Sequence, residues 1–156
     1  MKEKDILLLA SLRKNARETL TKMSQQTHIP ISTIFDKLKQ FEKEVIKKHT
    51  TLVDFGKIGF STRANITLKV DKSDKEDIRC FLEKHMNVNS VYKINNGYDY
   101  LVEAVFRNIK ELEDFIDIIE TKHKIKNKQV YYIIEDIKRE EFLAEPGFID
   151  LVMPAA

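Results

Sequence analysis

The sequence predicts an α+β chain in two parts, an N-terminal helix-turn-helix domain of winged-helix-like type followed by a C-terminal ferredoxin-like βαββαβ domain. Three observations carry this. Thr19 to Glu44 reads as two short amphipathic helices on either side of a prolyl turn. Beyond residue 62 the apolar periodicity runs strand, helix, strand, strand, helix, strand. The two halves also differ in charge: residues 1–61 hold 12 basic and 7 acidic side chains, a net +5, whereas residues 62–156 hold 15 and 18, a net −3. That asymmetry suits a phosphate-binding part joined to a regulatory or assembly part, or is a chance imbalance of a few charges.

Composition narrows the function classes. Hydrophobic residues at 42% and charged ones at 33% describe a core-forming chain. No apolar run approaches the roughly 18 residues that span a bilayer, and the opening MKEKD lacks a signal-peptide apolar region, so a cytoplasmic location is expected. The single cysteine, Cys80, excludes an internal disulfide and a multi-cysteine metal site; its helical setting predicts a buried or half-buried thiol. His28, His49, His85 and His123 are scattered, and neither a phosphate-binding glycine loop nor a persuasive carboxylate pair is present. No catalytic residue, metal ligand or cofactor is therefore assigned, and an enzyme is not expected.

Taken in order, Ile6, Leu7, Leu8, Leu9 and Leu12 predict a first helix buried on more than one side, with Asp5 as its N-cap or first-turn anion. Thr19 is a fitting N-cap for the second helix, whose Leu20, Met23 and Thr27 face inward. The turn at His28-Ile29-Pro30 has no glycine, and His28 stands where a left-handed residue is usual. Ser32 then caps the third helix or lies in its first turn. At about 100° per residue, Ile31, Ile34, Leu38 and Phe41 fall on one face of that helix and Ser32, Asp36, Lys39, Gln40 and Lys43 on the other. Such a helix reads DNA or is an ordinary surface helix.

Val45 to Val53 favours an extended run, with Gly56 and Gly59 marking a flexible passage, so boundaries are drawn at 1–46, 47–62, 63–139 and a tail at 140–156. Ala64, Ile66, Leu68 and Val70 alternate as a half-buried strand. Ser73 to Glu76 reads as a capping box before a helix with Ile78, Phe81, Leu82 and Met86 inward. Val88–Asn95 and Tyr98–Phe106 form a hairpin around Asn96-Gly97. Asn108 caps a helix with Leu112, Phe115, Ile116 and Ile119 inward, and residues 128–137 make the last strand, centred on Val130 to Ile134. Both parities of the strand ending at Phe106 are apolar, which predicts an uncovered sheet face too greasy for water and hence a homodimer or larger assembly through the sheets. The apolar tail after Pro146-Gly147 docks on a neighbouring subunit or stays disordered.

This order of parts resembles the Lrp/AsnC, or feast/famine, family of regulators. The likeness spans residues 4–139 and rests on Thr19 to Thr27 as the family's second helix, Ser32 to Glu42 as its recognition helix, and Tyr98-Asp99-Tyr100-Leu101 as its hairpin signature. The resemblance implies a sequence-specific DNA-binding transcriptional regulator, with double-stranded DNA contacted by Thr19, Ser32, Thr33, Asp36, Lys37, Lys39, Gln40 and Lys43. It also implies dimers assembled into octamers or rings of dimers, and an amino acid or related metabolite bound near Asn96, Gly97, Tyr98 and Asp99. Two departures stand out. Asp36 and Lys37 occupy positions where many members carry paired arginines, so Asp36 either reads a base amino group or pairs with Lys39 or Lys43; Asn96 replaces the hairpin glycine. The alternatives are a metabolite-binding assembly without DNA binding, or an enzyme on the same fold like the tetrapyrrole decarboxylases.

Overall fold

The computed structural model describes residues 3–145, 147 and 149. The chain divides into two compact units, one made of the described residues up to Thr51 and those from Ile137 onward, the other spanning Leu52–Asp136.

The first unit begins with α1 (Glu3–Lys14), α2 (Leu20–Thr27) and α3 (Ile31–Glu44). Leu8, Met23, Ile29, Ile34 and Phe41 make its core, with Leu12, Leu20 and Leu38 packed at the edge. At roughly 2 kcal/mol for each fully buried large side chain, this small cluster is the main force holding three short helices that would not persist alone. A second cluster on α1 joins Ile6 and Ala10 to Ile149, so Ile149 packs on its own chain's first helix. Arg13 reinforces this by donating to the Phe142 and Glu140 carbonyls at 2.5 and 3.0 Å. The expected contributions of Phe148 and Leu151 to Pro154 lie outside the described residues.

The connection from Val45 forms no strand; it runs irregularly to a 3-10 turn at Gly56–Ile58. The second unit then follows the order β1 (Thr62–Val70), α4 (Lys75–Lys84), β2 (Val88–Lys93), β3 (Tyr100–Phe106), α5 (Ile109–Lys122), β4 (Ile125–Tyr132). The strands form an antiparallel sheet in the order β2-β3-β1-β4, the ferredoxin-like arrangement. Ala64, Ile66, Leu68 and Val70 face Val102, Ala104 and Phe106, together with Ile78 and Leu82 of α4 and all four expected residues of α5.

Several local expectations are corrected. Asp71, not Ser73, caps the turn Lys72–Asp74, so α4 starts at Lys75 without a side-chain cap. Met86 lies beyond α4 and is 93% exposed, and Cys80 is exposed rather than buried. The last strand starts earlier and stops at Tyr132: its ladder with β1 spans Val70↔Ile125 to Ala64↔Tyr132, Ile133 still donates its N–H to the Arg63 carbonyl at 2.8 Å, and Ile134 is exposed. The sheet's open face is mixed rather than greasy. Leu101, Val105, Tyr92 and Tyr131 share it with Arg63, Asn65, Thr67, Glu103 and Gln129, since β3's neighbours contribute polar residues at the facing positions.

Candidate functional site

The turn between α2 and α3 is built from local hydrogen bonds. Thr19 is the N-cap of α2, its hydroxyl accepting the Lys22 N–H at 3.2 Å. His28 takes the left-handed conformation at φ 55° and donates its N–H to the Ser24 carbonyl; the Ser24 hydroxyl donates to the Ile29 carbonyl at 2.6 Å. Pro30 precedes the first residue of α3 and makes no side-chain cap, which places Ser32 in the first turn. Buried Ile29 pins this turn into the core.

With Ile34, Leu38 and Phe41 inward, the outer ridge of α3 is Ser32, Asp36, Lys39 and Lys43, with Thr33 and Gln40 on one shoulder. All six are exposed, as is Thr19. Lys37 behaves differently from the expectation. Its ammonium lies 3.0 Å from the Asp5 carboxylate on α1, and both side chains are largely covered. It is a tie between helices, and its charge is already engaged. Asp36 has no ion-pair partner among the described residues, so of its two alternatives the pairing with Lys39 or Lys43 is not made; Lys39 leans over the Phe35 ring, 4.3 Å from its centroid. Gln40 donates to Glu44 at 3.0 Å.

Sequence reasoning placed Ile31 inward and passed over Phe35. Both are nearly half exposed, on the shoulder of α3 opposite Thr33 and Gln40. Phe35 was detectable as an aromatic off the apolar stripe; Ile31 was not, because it starts the helix before the core is reached.

In the second unit, Asn96 and Gly97 both have positive φ, 59° and 87°, as the turn requires. The strands end sooner than expected, at Lys93↔Tyr100, because the chain bends toward β1: the Asp99 N–H donates to the Leu68 carbonyl at 2.8 Å. The Asp99 carboxylate is buried and accepts the Val70 N–H at 3.0 Å and the Lys75 ammonium at 2.5 Å, with Lys69 at 3.6 Å. Burial pushes its pKa up, but these partners outweigh burial and hold it below the usual carboxylate value. Asn96 and Gly97 are exposed, and the Tyr98 hydroxyl accepts from Asn127 at 3.4 Å.

A cleft of about 570 Å³ opens between α4 and β2, lined among others by Lys75, Glu76, Arg79, Lys93, Asp99 and Tyr100. Of the four hairpin residues only Asp99 reaches it. Lys75 and Arg79, one helical turn apart on α4, were the sequence signal for this wall. Cations and carboxylates stand side by side here, an arrangement that can hold a zwitterion. Among the described residues no cluster of side chains could hold a metal ion, and no helix is long and apolar enough to cross a membrane.

Residues 63–142 match the profile described as the Lrp/AsnC ligand binding domain. The HTH-type transcriptional regulator FL11 of Pyrococcus abyssi is 30% identical over 118 residues, covering 75% of this chain and 78% of the relative. An uncharacterized HTH-type transcriptional regulator of Pyrococcus horikoshii is 25% identical over 143 residues, covering 91% and 96%. Among solved structures, a transcriptional regulator of Neisseria meningitidis in complex with L-Met superposes with a TM-score of 0.83 at 23% identity, covering 89% and 93%. E. coli AsnC superposes at 0.78 and 18% identity, covering 89% and 95%. These last two carry the fold alone.

Proposed function

The chain belongs to the Lrp/AsnC family of transcriptional regulators, and from that premise we propose that it binds double-stranded DNA through α2 and α3 and is modulated by an amino acid or related metabolite. The observation that carries the DNA reading is the outer ridge of α3, where Ser32, Asp36, Lys39 and Lys43 stand exposed beyond a short turn, as a recognition helix requires. In this reading residues 1–46 form the DNA-binding domain. Thr33 and Gln40 flank the ridge toward base edges or sugar, and the α2 N-terminus at Thr19 faces a phosphate. Lys37 acts by holding α3 against α1.

Residues 63–139 form the effector and assembly domain. The Neisseria regulator, solved in complex with L-Met, supports an amino acid as effector. The hairpin at Asn96 to Asp99, with the cleft beside it, is the site we assign. The exposed Tyr92 and Tyr131 on the open sheet face support a homodimer that assembles further.

The test is selection of bound duplexes from random DNA, followed by anisotropy titrations at several salt concentrations with and without the common L-amino acids. Recovery of a shared half-site with salt-dependent affinity is the expected result. One observation favours the other reading, a metabolite-binding assembly without DNA binding: Lys37 is engaged with Asp5 and so removed from the ridge. That reading prevails if melting temperature responds to an amino acid while no duplex is enriched.

A further inference from the structure

We infer that Ile31 and Phe35 form an apolar reader of thymine 5-methyl groups in the major groove, so that the preferred DNA carries thymines where the first half of α3 enters. This rests on the reading of α3 as a recognition helix.

Ile31 is 46% and Phe35 47% exposed, and their i, i+4 spacing places them side by side on one shoulder of α3. Neither belongs to the three-helix core, which Leu8, Met23, Ile29, Ile34 and Phe41 make up. Two features say what covers them. The first is charge. Lys39 sits over the Phe35 ring, Lys43 lies one turn further along the ridge, and neither makes an ion pair among the described residues. The rim holds these two ammonium groups beside the exposed carboxylates of Asp36 and Glu42, and its cations suit an anionic partner that approaches along the ridge. The second is size. Two side chains bounded by Ser32, Asp36 and Lys39 make a narrow stripe, far below the roughly 800 Å² that each partner of a stable protein interface contributes. On a duplex the matching apolar group is small and isolated. The C5-methyl of thymine is the one such group on the major-groove edges, and Phe is among the side chains that contact it. The N-terminal half of a recognition helix, where Ile31 and Phe35 lie, is the half that reaches base edges. The cation over the ring also limits its freedom, so little rotamer entropy remains to be lost on contact.

The test uses the full chain and duplexes it selects from random DNA, remade with deoxyuridine in place of thymidine so that only methyl groups are lost. Wild type should bind the deoxyuridine duplex several-fold more weakly, about fourfold for each methyl buried. The Ile31→Ala, Phe35→Ala double variant should bind the two duplexes equally, and Phe35→Ala should show a smaller difference than wild type, both keeping the wild-type circular dichroism. Equal binding of both duplexes by wild type overturns the inference and leaves the DNA reading standing. Failure to enrich any duplex overturns both. A changed sedimentation coefficient for Phe35→Ala, with no deoxyuridine effect in wild type, assigns the patch to self-association and also overturns the inference.

Discussion

The Lys37 ammonium and the Asp5 carboxylate, 3.0 Å apart, join the middle of α3 to the first turn of α1. Because the carboxylate is almost wholly covered, removing its partner leaves a desolvated charge less well satisfied. Lys37→Met should therefore lower stability by about 2 kcal/mol, read as a shift of the urea midpoint with an unchanged slope. Lys39→Met should leave stability nearly unaltered, but reduce the salt slope of DNA binding by about 0.9 if Lys39 meets a phosphate. A Lys37→Met protein that is as stable as wild type and loses the salt slope would exchange the two roles.

His28 holds the left-handed conformation at φ 55° and ends α2 by donating to Ser24. A side chain in that region is strained, whereas glycine is not, although glycine also loosens the unfolded chain. His28→Gly should raise stability of the first unit by about 0.5 kcal/mol, and His28→Val should lower it by more than 1 kcal/mol because a β-branched residue tolerates that region least. Thermal unfolding of both variants measures the contrast.

What the sequence disclosed and what it withheld divide along a physical line. Patterns that one element carries alone were legible: the α5 stripe of Leu112, Phe115, Ile116 and Ile119, the alternation of β1, the Thr19 cap and the left-handed His28 all stand in the structure. Features that a partner decides were not. The end of β4 is set by its pairing with β1, so Ile133 and Ile134 looked like strand and lie beyond the ladder, which ends at Ala64↔Tyr132. The engagement of Lys37 depends on Asp5, 32 residues earlier in the chain. The bond from the Val70 N–H to the Asp99 carboxylate joins residues 29 apart, at the end of β1 and in the hairpin. Ser73 lost its capping position to Asp71, a competitor two residues away with the same chemistry.

Asp99 makes the second unit sensitive to acid. Its folded pKa lies below the ordinary 3.8, so the unfolded chain takes up the proton first as pH falls. The stability that Asp99 contributes is therefore present above about 3.8 and is lost as pH drops from there through the folded value. Asp99→Asn should flatten this acid limb. It should also cost about 2 kcal/mol at neutral pH, because the amide replaces a carboxylate that satisfies both a backbone N–H and Lys75. Melting curves between pH 2.5 and pH 7, in steps of about half a unit, compare the two proteins across that window.

His85 acts with the opposite chemistry and at a milder pH. Burial lowers its pKa below the usual 6.5, and the charge of Lys122 adds to this. Its ring packs on Phe115 and Phe81, 4.7 and 5.3 Å between centroids, and its Nδ1 accepts the Asn87 N–H. Below 6.5 the unfolded chain binds the proton before the folded one does, so stability is full above 6.5 and declines as pH falls toward the folded value. His85→Asn, which can keep the acceptor for Asn87, should show a smaller drop in melting temperature between pH 7.5 and pH 5.5 than wild type. An identical drop would show that His85 does not carry the effect.

The tail completes the first unit rather than trailing from it. Ile149 is buried against Ile6 and Ala10 of α1, with Leu7 and Leu143 at the margin, and Lys14 meets Glu145 at 3.1 Å. The ion pair is exposed and contributes little, so the apolar contact carries the docking. Ile149→Ala should cost about 3 kcal/mol, within the usual range for emptying a buried isoleucine site, whereas Glu145→Gln should cost less than about 0.5 kcal/mol. Removing the chain after Arg139 should uncover Ile6 and bring the same loss. If chemical denaturation finds the truncated protein as stable as the full chain, Ile149 packs on α1 without holding it.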